Sequence, residues 1–137
     1  MKIVYRSIKS SISAVQACID KYIRLNEEIQ ELSQGQVYEV IAIERRDDGG
    51  LWYFVHATSG RMFPSAYPAE IFDISDGCLR DDWIFDVVIV DGIAVFRSAG
   101  FPEWVTDPNF FSKLIDQDEE CKKLYTLWLS ALGLELR

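Results

Sequence analysis

The chain has little of what catalytic and metal sites are usually built from. It holds one histidine, His56, and three cysteines, Cys18, Cys78 and Cys121, odd in number and far apart. Such a set argues against a disulfide framework and reads as reduced thiols in a cytosolic protein. No cysteine stands near the histidine at a ligand or nucleophile spacing, and no glycine-rich loop opens a helix, so metal, thiol and nucleotide chemistry have no motif. His56 lies mid-strand between Val55 and Ala57, where a satisfied core or edge histidine is the ordinary case. Asp81 and Asp82 with Asp86 make an acid pair on paper, but no nucleophile accompanies them. No enzyme activity and no cofactor are expected. Long apolar runs are missing too: none reaches the roughly 18 residues of a membrane span. The segment before Cys18 is broken by Arg6, Lys9 and serines, so "VQAC" lacks the apolar stretch of a lipoprotein signal.

Positive charge is scarce after the first 25 residues. That segment holds five basic side chains and one acid, whereas the other 112 residues hold nine and twenty-one, giving about +4 and −12 in a chain of net charge −8. Phosphate recognition draws on clustered Lys and Arg, so nucleic acid is not an expected partner of the acidic body. From Glu70 to Asp91 seven acids face only Arg80, and "DQDEE" follows at 116–120. Such runs are commonly a solvated face that keeps a protein soluble; the functional alternative is a surface for a basic protein.

What the chain does hold is apolar and aromatic. "LWYFVHATSGRMFPSAYPAEIF", residues 51–72, packs six Phe, Tyr and Trp residues, His56 and two prolines into 22 positions. On a strand, Trp52, Phe54 and His56 face one way and Leu51, Tyr53 and Val55 the other, so both faces call for cover. Period and punctuation predict a strand over "KIVYRSI". A helix is expected from Ser11 to about Glu31, capped by Ser11 or Ser13 and closed off at Gly35, because Ile12, Val15, Ile19 and Ile23 share one side. "QVYEVIAIER" and "GLWYFVHAT" form a hairpin across "RRDDGG", with short strands at "GRMF" and "IFDI" around a turn at "PSAYPAE". "DWIFDVVIVDGIAVFRS" is a hairpin around Asp91-Gly92, a dipeptide suited to a type I′ turn. Asp107 and Pro108 should open a helix buried through Phe110, Phe111, Leu114 and Ile115. A second helix carries Leu124, Tyr125, Trp128, Leu129 and Leu132 and stops at Gly133.

At 137 residues these elements suit a single α+β domain over 1–137. Residues 31–71, "ELSQGQVYEVIAIERRDDGGLWYFVHATSGRMFPSAYPAEI", resemble the body of an SH3 domain: E-L-S, a glycine, E-V-I, D-D-G, a tryptophan, then G-R and F-P-S-x-Y. The resemblance implies a small antiparallel barrel over about 1–76, with the N-terminal helix standing where the family has its acidic loop. The hairpin and C-terminal helices of 77–137 extend it. It also implies a groove for proline-rich peptides, lined by Trp52, Pro64 and Tyr67, with Asp47 and Asp48 meeting a basic residue of the ligand.

In size, acidity and want of catalytic residues the chain also resembles small bacterial immunity proteins, cytoplasmic inhibitors of toxins. That resemblance implies a basic protein partner, such as a nuclease toxin, held by Glu70, Asp73, Asp76, Asp81, Asp82 and Asp86. The two expectations are a toxin inhibitor and, as the alternative, an SH3-like adaptor.

Overall fold

The strand β2 (Val37–Arg45) organises the sheet, because four consecutive residues in it, Val40 to Ile43, are buried and need cover on both faces and both edges. The computed structural model describes residues 1–23, 31–57 and 61–134. Within them, β2 pairs antiparallel with β1 (Lys2–Tyr5) along Val37–Glu39 and with β3 (Leu51–Val55) along Val40–Arg45. It also pairs with β7 (Ile93–Gly100) along Ala42–Glu44. Since β3 and β7 share that stretch, they occupy opposite edges of β2. An irregularity between Val40 and Ala42 lets β2 bend where its partners change.

From β3 the sheet continues to β4 (Ser65–Pro68), and a 3₁₀ turn, Ala69–Ile71, leads into β5 (Phe72–Asp76), which returns to pair with β1. The order is β4-β3-β2-β1-β5, with β6 (Ile84–Val90) attached through β7. The α+β class is therefore found, as an open path of strands with helices. Two details of the sequence reading are corrected. Of "GRMF", residue 60 lies outside the described residues and Arg61–Phe63 do not form a strand; Arg61 turns to the Glu31 carboxylate and the Ser65 hydroxyl, at 3.1 and 3.2 Å. The "SAYP" portion of the expected turn is instead β4.

The helix α1 (Ser13–Tyr22) buries Ile19 as its stripe requires, yet neither Ser11 nor Ser13 caps it. Ile12 is the N-cap; Gln16 holds the approach instead, accepting from the Ser10 N–H at 2.6 Å and donating to the Ile8 carbonyl at 3.1 Å. The helix ends at Tyr22, short of the expected Glu31; residues 24–30 lie outside the described residues.

At the other end, α2 (Pro102–Thr106), α3 (Phe110–Ile115) and α4 (Glu119–Ala131) cover one face of the sheet. Proline at the first helical position appears in α2 rather than at Pro108. Asp107 accepts from the Asn109 N–H at 2.9 Å in the turn before α3, whose N-cap is Asn109. Trp128 of α4 lies between Phe101 and Phe110, with ring centroids at 4.7 and 4.8 Å. Phe54 meets Trp104 and Phe111 on this side, while Tyr53 meets Phe72, which also gathers Tyr5 and Tyr67. The two-sided aromatic packing of β3 thus follows its alternation. Phe54 and Phe72 are buried and Phe63 is half-buried, whereas Ile115, expected on the buried side of its helix, is exposed.

Asp91 and Gly92 adopt φ of 51° and 78°, the left-handed pair of a type I′ turn between β6 and β7. One buried cluster draws on both the N-terminal strands and the C-terminal helices.

Candidate functional site

Two residues of the expected peptide groove, Asp48 and Trp52, come together around a buried cation. Arg46, only 4% exposed, follows β2 and enters the turn at Asp47. Its Nε donates to Asp48 at 3.0 Å, and Nη1 donates to the Leu51 carbonyl and to Glu70 Oε2 at 3.1 and 2.9 Å. Nη2 meets Glu70 Oε1 at 2.5 Å. The guanidinium lies over the rings of Tyr22 and Trp52, 4.6 and 5.6 Å from their centroids. Burial works against its charge, but the bonds to Glu70 and Asp48 outweigh it and hold the pKa above the ordinary arginine value. Asp48 accepts from the Gly50 N–H at 2.9 Å and the Tyr22 hydroxyl at 2.8 Å besides Arg46, and these bonds depress its carboxyl below the usual range.

The turn requires glycine at position 50: a Cβ there would stand 1.9 Å from Arg46 Nη2. Tyr22 also packs edge-on against Trp52 at 4.9 Å. Pro64 is fully buried, and Tyr67 donates to Glu31. The N-terminal helix therefore closes over the Trp52 side of the expected groove, and Asp48 is engaged within the chain.

The six carboxylates assigned to a basic partner divide. Glu70 is turned inward to Arg46 and belongs to the lock just described. Asp73 is exposed and lies 3.6 Å from Arg6. Asp76 accepts from the Cys78 N–H at 2.9 Å, which lowers its pKa. Asp82 takes two bonds from Arg80, at 2.9 and 3.1 Å, which lower its pKa as well, and Asp86 pairs with Arg97 at 3.3 Å. Asp81 is exposed, and among the described residues neither Asp76 nor Asp81 forms an ion pair.

Two features were missed from sequence. An open cleft of about 390 Å³ lies between β2, β7 and the helices α2 and α3, with Glu44, Arg97, Trp104 and Phe111 among its walls. Glu44 is partly buried there, which raises its pKa; the Trp104 Nε1–H donates to it at 3.2 Å and pulls the other way. Its role is visible: it satisfies an indole N–H that Trp104 brings into the core. The second feature is the outer half of the β6–β7 hairpin, where Phe85, Val87, Ile89, Val90 and Ile93 are exposed. The apolar run "IFDVVIV" signals it, but sequence alone reads the run as buried.

His56 accepts from or donates to the Tyr125 hydroxyl at 2.7 Å through Nδ1, tying β3 to α4, and its buried Nε2 has no partner among the described residues. Burial, then the charge of Arg61, lowers its pKa. The expectation of a satisfied core or edge histidine is thus met at Nδ1 alone. Cys18, Cys78 and Cys121 are free thiols. Among the described residues no three His, Cys, Asp or Glu side chains gather as for a metal ion, and no helix is long and apolar enough to cross a membrane. No family model, curated protein or solved structure matches the chain.

Proposed function

We propose that the protein is a non-enzymatic inhibitor of immunity type, which binds a basic protein, such as a nuclease toxin, in a reducing bacterial cytoplasm. The observation that carries this reading is the segment from Asp73 to Asp82, whose carboxylates Asp73, Asp76, Asp81 and Asp82 are exposed, while Asp48 and Glu70 are engaged by the buried Arg46. An exposed carboxylate set raises the encounter rate with a basic surface and excludes acidic partners. Glu70 is removed from the binding surface, and Asp86, paired with Arg97, stands at its margin. The strand order β4-β3-β2-β1-β5, with a 3₁₀ turn joining its end strands β4 and β5, supports an SH3-like framework. The closed position of Tyr22 over Trp52 speaks against the adaptor alternative.

The test is capture from the protein's own cells with a tagged wild-type chain and with D73K/D76K/D81K/D82K. The wild type should hold one basic protein in a salt-sensitive complex, the reversed variant should lose it, and a stoichiometric amount of wild type should abolish that protein's nuclease activity. Equal capture by both chains, or a captured protein whose activity is unchanged, would refute the reading.

A further inference from the structure

The β6–β7 hairpin leaves an open edge. Among the described residues β6 pairs with β7 alone, and β7 pairs with β2 only through Ser98, Ala99 and Gly100. Beyond Ser98 the two strands therefore leave the sheet as a two-stranded arm, and the outer edge of β6 offers its backbone N–H and C=O groups to solvent. Soluble proteins usually blunt such edges with lysine, proline or an inward charge. From Val87 to Val90 this one has none of these. Its side chains are also exposed and apolar: Phe85 is 56% exposed, Val87 50%, Ile89 69% and Ile93, on β7, 66%. A two-stranded ribbon of this kind is marginal alone and gains from further strands.

We propose that this arm is a dimerisation element, in which β6 pairs antiparallel with β6 of a second copy of the chain about a two-fold axis. Three observations select a second copy over the basic partner of the inhibitor reading. First, the arm offers little to attract a basic protein: Asp86 is paired with Arg97 at 3.3 Å, the next four residues are uncharged, and Asp91 in the turn is its one further acid. Second, antiparallel pairing of identical strands is self-complementary: an axis at Val87 or Val88 sets Asp86 opposite Val88 or Val90, so no like charges meet. Third, the area fits. With apolar side chains of roughly 150–200 Å² each, these four exposed fractions amount to about 360–480 Å² per copy, or about 700–950 Å² for the pair, the size of a weak, transient interface. The dimer is accordingly a weak, concentration-dependent one. Two-fold pairing of β6 with β6 is closed at two copies; the outer edge of β7 beyond Ser98 stays unpaired among the described residues.

The experiment is sedimentation velocity on the full chain over about 1 µM to 1 mM, for wild type and V87K/I89K, with hydrogen exchange at both ends of that range. The substituted side chains are exposed, so the variant should keep the wild-type circular dichroism and melting temperature. The expected result is a mass rising with concentration from 15.8 kDa toward twice that value, with amide protection of residues 84–90 rising in parallel. V87K/I89K should remain monomeric throughout. A wild type that stays monomeric to 1 mM overturns the proposal, even if a basic partner then proves to need the arm. So does a dimer that V87K/I89K leaves intact, and so does growth past two copies. The outcome is independent of the charge-reversal capture, since no residue is shared between the two variants.

Discussion

Arg46→Met tests whether the buried cation holds α1 and the 3₁₀ turn to the barrel-like strands. The substitution keeps the aliphatic stem but removes three charge-assisted bonds, one to Asp48 and two to Glu70. Breaking a fully buried ion pair by deleting one partner costs about 3–5 kcal/mol, chiefly through the charge left without a partner. Here the carboxylates keep some water, at 22% and 17% side-chain exposure, which reduces the expected loss to about 2–3 kcal/mol. For a chain of this size that lowers the melting temperature by roughly 10 °C. Replacing both partners, R46M/E70L, should recover most of the loss, because Asp48 retains the Gly50 N–H and the Tyr22 hydroxyl. Urea unfolding followed by tryptophan fluorescence measures R46M, E70L and R46M/E70L in a double-mutant cycle. If R46M costs less than about 1 kcal/mol, or R46M/E70L is less stable than R46M, the lock reasoning is wrong.

Two further outcomes follow from the same geometry. Gly50→Ala should displace the guanidinium, since the new Cβ would stand 1.9 Å from Nη2; its stability loss should approach that of R46M, and R46M/G50A should be no worse than R46M. Additive losses in the urea cycle would count against displacement. His56 is held neutral, with a folded pKa below the unfolded value of 6.5, so the unfolded chain takes up the proton first. The contribution is full above pH 6.5 and declines as pH falls toward the folded value, so unfolding free energy should drop between pH 7 and 5. His56→Gln should flatten that window while leaving the carboxylate-dependent loss below pH 4. An unchanged slope in the variant would show that His56 does not titrate on unfolding.

Local conformational demands were the legible part of the fold. Asp91-Gly92 announces a left-handed turn in two residues, and the alternation in Leu51–Val55 announces cover on two faces; both are found. The start of α1 was not legible, because Ser10, Ser11 and Ser13 stand close together and the choice was made by Gln16, six residues beyond Ser10. β4 was hidden by its flanking Pro64 and Pro68. As an edge strand paired only with β3, it tolerates proline at its end, which an internal strand would not. In the site, Glu70 and Asp73 are equivalent on paper. Only the arrival of Arg46, 24 residues away in sequence, turns the first inward while the second stays in solvent. An ion pair formed across that distance leaves no local pattern to read.

That division gives a physical criterion for the acidic surface. A net charge of −8 suggests an excess of carboxylates available to a partner, but the structure first engages those that stabilise it. Asp48 has Tyr22, Arg46 and Gly50; Glu70 has Arg46; Glu44 has Trp104. Reversing any of these would disturb the core and confuse lost folding with lost binding. Asp73, Asp76, Asp81 and Asp82 are different, because they are exposed: Asp73 and Asp82 pair with Arg6 and Arg80 at the surface, Asp76 accepts from the Cys78 N–H, and single exposed pairs contribute about 1 kcal/mol or less. Reversing them should therefore leave the core intact. The same helix that packs Tyr22 against the Trp52 side of the expected groove draws Asp48 into the lock, so covering that side and engaging Asp48 within the chain are consequences of one feature: the placement of Tyr22 over Trp52 and Arg46.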